Sequence, residues 1–225
     1  MAELTFTQAA SRFPKIGTDE VGKGDFFGPL VVSAVFMKNP EMTGDLRILD
    51  SKSLSDSAIR ANAPLLMQIL KHSVVKILPS KYNQLYKRFH NINLILGWAH
   101  AQAIKNLLDE GVRPELILID KFGPPSRVLH HFHGDEPIGR ILFFTHAEKD
   151  KAVACASMIS RLVFLNEMEK LSHQAGIAIP LGAGPLVDQA AQKLAARLGV
   201  ENLGMFVKLH FRNFASLKKK SPPQD

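Results

Sequence analysis

The sequence has little cysteine and no long apolar run. Cys155 is the single cysteine among 225 residues, so the chain cannot form an internal disulfide and a reducing compartment is expected. No segment approaches the roughly 18 to 20 consecutive apolar residues that a membrane-spanning helix needs. The N-terminus also lacks a basic stretch followed by an apolar one, which a secretory signal would show. These absences exclude a disulfide scaffold and a helical membrane protein, and they predict a soluble, cytoplasmic chain.

The net charge and the length of the chain give little information on the class of protein. The formal charge of +7 favours polyanionic partners without separating nucleic acid from acidic membranes or acidic proteins. A hydrophobic share of 46% is sufficient for one large core, so we expect a single domain, monomeric by default. We place that domain at residues 15–214, between a short lead-in at 1–14 and a basic, flexible tail at 215–225.

The apolar pattern predicts an α/β fold. β-branched and apolar runs bounded by glycine and proline indicate strands at about 15–20, 29–37, 73–79, 115–120 and 140–145. Helical periodicity indicates helices at about 91–109, 151–171 and 184–198. In the first of these helices, Ile95, Trp98 and Ile104 are expected to face the core. Early strands, then alternation of helix and strand, then helices alone describe a mixed sheet flanked by helices, with a helical C-terminal part.

Two adjacent acids, Asp19 and Glu20, come at the end of an apolar strand and directly before a glycine-rich turn. Adjacent strand residues point to opposite faces of a sheet. Both can therefore serve one site only if the strand ends or bulges there, or if one contributes its backbone carbonyl. The glycines at 22, 24 and 28 permit such an irregularity and let a polymer backbone approach closely. An isolated Asp-Glu pair is more commonly a solvated turn, so that interpretation stays open at this point.

Two further strand ends carry acids. Leu116–Asp120 is a continuous apolar run that is typical of a strand inside a sheet, and its last carboxylate lies where α/β sheets place their sites. Asp120 could equally cap the following turn. Glu148 and Asp150 follow the apolar run 141–144 and precede a long helix, where acids also complement the helix dipole.

Carboxylates from three strand ends at one edge would repel each other unless a cation neutralised them. Mg²⁺ and Mn²⁺ are hard ions that prefer oxygen ligands. Two such ions roughly 3.5–4 Å apart can activate water and stabilise the leaving oxygen of a phosphodiester. The pattern therefore permits a phosphodiesterase, but it does not separate one from other metal-dependent phosphoryl chemistry.

Six motifs, in order and covering about residues 15–214, resemble ribonuclease HIII, a bacterial type-2 ribonuclease H family. They are Asp19–Pro29 (DEVGKGDFFGP), Asp50–Asp56 (DSKSLSD), Leu118–Phe122 (LIDKF), Thr145–Glu148 (THAE), Val153–Arg161 (VACASMISR) and Lys208–Asn213 (KLHFRN). The resemblance implies a ribonuclease H-like mixed sheet with a helical C-terminal part. It also implies an endonuclease that hydrolyses the RNA strand of RNA–DNA hybrids with two Mg²⁺ or Mn²⁺ ions and leaves 5′-phosphate and 3′-hydroxyl ends.

The resemblance further implies that Asp19, Glu20, Asp120 and Glu148 are catalytic, metal-binding carboxylates. One departure concerns the fourth: the stretch between Glu148 and the Ala-Ser of the next helix is a residue shorter than usual. Asp150 is therefore the stated alternative if Glu148 points away.

The same resemblance implies where nucleic acid binds. The turn Gly22-Lys23-Gly24 aligns with a motif that, in the related ribonuclease HII enzymes, contacts the ribose 2′-hydroxyl through backbone groups, and only this hydroxyl distinguishes RNA from DNA on that strand. Lys52 and Lys121 are expected to contact phosphates. Ser157 and Arg161, four apart on one helical face, fit either phosphate contact or helix anchoring.

Two alternatives remain beside this interpretation. The chain could be another ribonuclease H-like nuclease that cuts DNA, or a hybrid-binding module without activity. Family members usually carry an N-terminal domain similar to the TATA-binding protein, and only eighteen residues precede Asp19 here. We therefore expect weaker affinity for the hybrid than in a protein that has this domain, with the chemistry retained.

Overall fold

The computed structural model of the protein describes residues 4–44, 46, 48, 54–132 and 139–220. Five strands are formed by β1 (Lys15–Val21), β2 (Leu30–Met37), β3 (Lys71–Ile77), β4 (Leu116–Asp120) and β5 (Arg140–Phe144). The helices are α1 (Phe6–Ala10), α2 (Asp56–Ile69), α3 (Pro79–Phe89), α4 (Ile92–Asp109), α5 (Ser126–Leu129), α6 (Lys151–Ala175), α7 (Pro185–Leu198) and α8 (Arg212–Lys220).

The strands form one mixed sheet in the order β3-β2-β1-β4-β5. β1 pairs antiparallel with β2, and β4 pairs parallel with both β1 and β5. Every residue of β2 is buried, as are the first four residues of β4, because both faces of these central strands are covered. The predicted α/β fold with a mixed sheet is confirmed.

The parallel pairing of β1 and β4 fixes where their carboxylates lie. The paired residues run from Lys15 opposite Leu116 to Thr18 opposite Ile119. Asp19 and Asp120 are the next residue on each strand, so they emerge side by side at the same edge of the sheet. Residues in register lie on the same face of a sheet, and these two side chains therefore share a face.

The N-terminal end of α6 packs directly on β1. A Cβ atom at Gly17 would collide with the backbone of Ala152 and Val153, so only glycine permits this approach. Val153 belongs to a buried cluster with Ala9, Leu116, Leu118 and Ala147. This close packing brings the helix that carries Ser157 against the face of β1 that carries Asp19.

Some local predictions differ from the structure. Residues 215–220 continue α8 and are not a frayed tail, because Phe214 and Leu217 are buried on one face of that helix. Trp98 is 37% exposed although the apolar pattern of α4 placed it toward the core, whereas His100, which that pattern did not single out, is fully buried. The helices α2 and α3 were not located from the sequence.

The chain groups into two compact units. The first consists of Met1–Val21, Val31–Val75 and Asn93–Val163, and the second of Gly22–Leu30, Lys76–Ile92 and Phe164–Asp225. The four predicted metal-binding carboxylates all belong to the first unit, and the predicted turn Gly22-Lys23-Gly24 belongs to the second. Among the described residues, no helix combines the length and the apolar character that crossing a bilayer would require.

Candidate active site

Asp19 is a buried carboxylate in an acidic environment. Only 8% of the residue is exposed, and the Ser157 hydroxyl donates a hydrogen bond to it. Burial, followed by the charge of Glu20, raises the pKa of Asp19 from 3.8 to about 7, and Asp120 adds to the increase. The hydrogen bond from Ser157 opposes this change without cancelling it. The structure thus brings three of the predicted carboxylates close enough to act on each other's charge.

Glu20 lies two residues from Thr18 on β1, and one histidine contacts both. His100 Nε2 is 3.3 Å from Glu20 Oε2, and His100 Nδ1 is 2.9 Å from Thr18 Oγ1. The imidazole is stacked on Phe122 at 4.8 Å between ring centroids. His100 was missed in the sequence, although it lies at helical spacing from the apolar Leu96 and Ile104, which placed it on the buried face of α4.

Asp120 is held at the end of β4 by a backbone contact. Its Oδ1 accepts a hydrogen bond of 2.9 Å from the Ala147 backbone N–H, in the segment that follows β5. That segment forms a 3₁₀ turn over Ala147–Lys149, preceded by His146 with a left-handed φ of 58°. Because Ala147 directly precedes Glu148 in the sequence, this hydrogen bond brings the backbone of the Glu148 turn close to Asp120.

The two acids in this turn, Glu148 and Asp150, have different environments. Glu148 is 15% exposed in its side chain, and its Oε1 is 3.2 Å from His146 Nδ1. Asp150 is buried: one oxygen is 2.7 Å from Lys15 Nζ, and the other accepts from the Ala152 and Val153 N–H groups that begin α6. Both oxygens of Asp150 are therefore engaged in anchoring the helix. The Glu148 side chain, in contrast, remains partly accessible to solvent.

The donor chemistry fits a hard divalent cation, although the side chains do not form a finished site. Three carboxylates converge at one sheet edge, one of them with a raised pKa, and a cation would relieve their repulsion. Within the described ranges, no three histidine, cysteine or acidic side chains already stand in an arrangement that would hold a metal ion. These carboxylates therefore lie close to one another without forming a coordination group, and Asp19, Glu20 and Asp120 are each held by one protein contact.

The predicted nucleic-acid contacts have different environments. Lys23, Gly24 and Lys121 are exposed. Arg161 Nη2 is 3.0 Å from Asp56 Oδ1, and the Ser157 hydroxyl is committed to Asp19, so both side chains have protein partners. Lys52 lies outside the described residues.

The turn that follows β1 is strongly anchored within the second unit. Gly22 has φ of 91°, and a Cβ atom there would collide with the Pro29 carbonyl oxygen, so glycine is required. Lys208 is fully buried, and its Nζ donates to the carbonyl oxygens of Asp25 at 2.7 Å and Gly28 at 2.9 Å. Burial lowers the pKa of Lys208 to about 7.

Comparison with known proteins decides the family. A sequence model of the ribonuclease HII family, described as "Ribonuclease HII", matches residues 16–214. The chain belongs to the ribonuclease HII family. The resemblance seen in the sequence motifs is confirmed, and the chain is an enzyme of the ribonuclease H type.

Individual members of this family are similar to the chain over most of its length. Ribonuclease HIII of Bacillus velezensis is 41% identical, covering 91% of this chain and 67% of the relative. Ribonuclease HIII of Chlamydia pneumoniae is 36% identical, covering 89% and 69%. The crystal structure of Bst-RNase HIII in complex with Mn²⁺ superposes with a TM-score of 0.86 and 33% identity, covering 97% of this chain and 75% of that one. The chain therefore spans about two thirds of the length of the curated relatives.

Proposed function

We propose that the chain hydrolyses the RNA strand of RNA–DNA hybrids as an endonuclease and leaves 5′-phosphate and 3′-hydroxyl ends. The observation that carries this proposal is the convergence of Asp19, Glu20 and Asp120 at one sheet edge, in a chain of the ribonuclease HII family. A carboxylate whose pKa is raised by burial and, in addition, by neighbouring carboxylates is typical of a functional site. The names of the relatives point to the same activity.

We assign the metal-binding role to Asp19, Glu20, Asp120 and Glu148, with Mg²⁺ or Mn²⁺ as the ion. Two ions held there would neutralise the carboxylates, lower the pKa of a water molecule and stabilise the charge that develops on the phosphodiester. The solved relative that contains Mn²⁺ supports the choice of ion. Ser157 donates a hydrogen bond to Asp19 and the Ala147 N–H donates one to Asp120, so the motion of both carboxylates is restrained before an ion binds.

We assign hybrid binding to the exposed side chains and to the glycine turn. Lys23 and Lys121 are available for phosphates. In the turn Gly22-Lys23-Gly24, the backbone of Lys23 and Gly24 is exposed and available for the ribose 2′-hydroxyl, next to the buried Gly22. Arg161 and Ser157 would act by anchoring α6, because both side chains contact acids of the protein itself. Lys52 is retained as a proposed phosphate contact.

The test is cleavage of a hybrid whose RNA strand carries a 5′ label, in Mg²⁺, in Mn²⁺ and in a chelator. We expect cleavage of the RNA strand with either or both ions and none with the chelator, with products that a polymerase can extend from their 3′-hydroxyl ends. The same sequence as a DNA duplex is the matched substrate. Cleavage of that duplex would identify a DNA nuclease, and tight hybrid binding without cleavage would identify a binding module.

An Asp120→Asn variant provides the matched protein control. The amide oxygen can still accept the Ala147 N–H, so the fold is expected to persist, while the charge that a cation requires is lost. Full activity in this variant would contradict the assignment of Asp120.

A further inference from the structure

The most informative group outside the predicted site is the His100 side chain. It is fully buried on α4, and its ring nitrogens contact Glu20 and Thr18. A fully buried imidazole with both ring nitrogens engaged has one defined orientation. None of the motifs that carry the family resemblance includes this residue.

The two contacts follow from the geometry of β1. Residues two apart on a strand point to the same face, so Thr18 and Glu20 present their side chains together, on the face opposite to Asp19. Thr18 and Glu20 therefore meet α4, while Asp19 meets Ser157 of α6. His100 is the residue of α4 that spans both side chains.

The direction of the hydrogen bonds is set by the carboxylate. An ionised carboxylate only accepts hydrogen bonds, so His100 Nε2 must carry the hydrogen that faces Glu20 Oε2. Thr18 can donate to or accept from Nδ1, so it tolerates a neutral or a charged ring. The hydrogen bond from Nε2 to Glu20 and the contact between Nδ1 and Thr18 can therefore form together.

Stacking on Phe122 also restrains the His100 imidazole. The two rings are nearly parallel, with an interplanar angle of 16°. Phe122 is two residues after Asp120, so His100 lies between the strand that carries Glu20 and the segment that follows Asp120. The imidazole is therefore held by Thr18, Glu20 and Phe122 together.

The geometry points to His100 as a positioning residue that holds the Glu20 carboxylate in the orientation needed for divalent-cation binding. This inference rests on the proposed function, in which Glu20 is a metal ligand. One oxygen of Glu20 is tied to the ring and the other is left for the ion. Outer-shell partners of this kind typically change metal affinity about 10- to 100-fold when they are removed.

Three variants of His100 separate the contacts. His100→Phe keeps a flat ring against Phe122 and removes both polar contacts. His100→Gln places an amide N–H near the position of Nε2, so it restores the donor to Glu20. His100→Asn reaches only the position of Nδ1, so it restores the contact with Thr18 alone. His72→Phe, at a partly buried histidine of β3, is the control for an equivalent change elsewhere.

The readout is Mn²⁺ binding to the metal-free 225-residue chain, measured by calorimetry well below the unfolding midpoint of each variant. We expect affinity at least about tenfold weaker in His100→Phe and His100→Asn, and near wild-type affinity in His100→Gln and His72→Phe. Equal affinity of His100→Gln and His100→Asn, or undiminished affinity in His100→Phe, would overturn the inference. If His100→Phe does not fold, the comparison of the Gln and Asn variants decides alone.

Hybrid cleavage is measured in parallel so that two failures can be told apart. If the wild-type chain binds Mn²⁺ but does not cleave the hybrid, the proposed function fails while the positioning role of His100 can still be read from the binding data. A purely structural role would lower the unfolding midpoint of all three variants without the split between Gln and Asn. We expect that split to appear also in kcat at saturating hybrid, with KM for the hybrid unchanged.

Discussion

Replacing Asp19 by asparagine should stabilise the metal-free protein while abolishing its activity. The pKa of Asp19 is raised from 3.8 to about 7, chiefly by burial and then by Glu20, so the folded state favours the protonated, neutral form. A carboxyl group whose pKa is higher in the folded than in the unfolded state costs no stability below the unfolded value. That cost develops as the pH rises from about 4 to about 7, and it stays constant above this range.

The magnitude follows from the two pKa values. A change from 3.8 to about 7 corresponds to about 4 kcal/mol at full ionisation, since each pKa unit is worth about 1.4 kcal/mol. Asparagine stays neutral and can still accept the hydrogen bond from Ser157, but it gives up part of the hydration of a free amide. We therefore expect the free energy of unfolding to be about 2 to 4 kcal/mol higher in Asp19→Asn than in wild type at pH 8.

The assay is urea unfolding of both proteins in chelator at pH 4, 6 and 8. The difference should be largest at pH 8 and should nearly vanish at pH 4. Asp109→Asn, at an exposed position at the end of α4, is the control and should show no such trend. Saturating Mn²⁺ should stabilise wild type far more than Asp19→Asn, because only the former has the full set of carboxylates. Equal stability of the two proteins at pH 8, or a difference that does not depend on pH, would refute this reasoning.

Three further predictions concern Glu148, Asp150 and Lys208. Glu148→Gln should lower hybrid cleavage by at least about a hundredfold, because a proposed metal ligand loses its charge. The unfolding midpoint should not change, because the Glu148 side chain is partly accessible to solvent. Full activity at saturating Mn²⁺ would exclude Glu148 from the metal ligands. Asp150→Asn should cost about 3 to 5 kcal/mol in urea unfolding, since the buried Lys15 ammonium loses its charged partner and keeps only the carbonyl oxygens of Ala9 and Ala10. The Mn²⁺ affinity of the folded fraction should be retained. Loss of affinity without loss of stability would instead make Asp150 a ligand. Lys208→Met should destabilise the protein by about 2 kcal/mol, because the buried Gly28 carbonyl and the partly buried Asp25 carbonyl lose their donor. It should also raise KM for the hybrid more than it lowers kcat, and a change confined to kcat would contradict the role assigned to the turn.

Much of the site could be predicted because its positions follow from strand pattern. Asp19 and Asp120 each end an apolar run, and parallel strands bring such ends to one edge of a sheet. Asp19 and Glu20 are next to each other in sequence but are contacted by two different helices, Asp19 by Ser157 of α6 and Glu20 by His100 of α4. The sequence alone gave no means of identifying those helices as partners.

The features of the site that could not be predicted from the sequence depend on contacts between distant parts of the chain. Asp150 and Glu148 are two residues apart, and only the buried Lys15 at the start of β1 shows which of them is structural. A lysine at the beginning of a strand is normally expected at the surface. In α4, a histidine among apolar residues resembles an ordinary core position, and its contact with Glu20 becomes visible only when α4 packs on β1.

The most direct test of the central claim is a crystal structure of the protein soaked in Mn²⁺, with the ions located from their anomalous scattering. The account predicts Mn²⁺ bound by carboxylate oxygens of Asp19, Glu20 and Asp120, with Glu148 turned toward the ion and Asp150 still paired with Lys15. Anomalous density elsewhere only, or an ion held by Asp150 in place of Glu148, would contradict it.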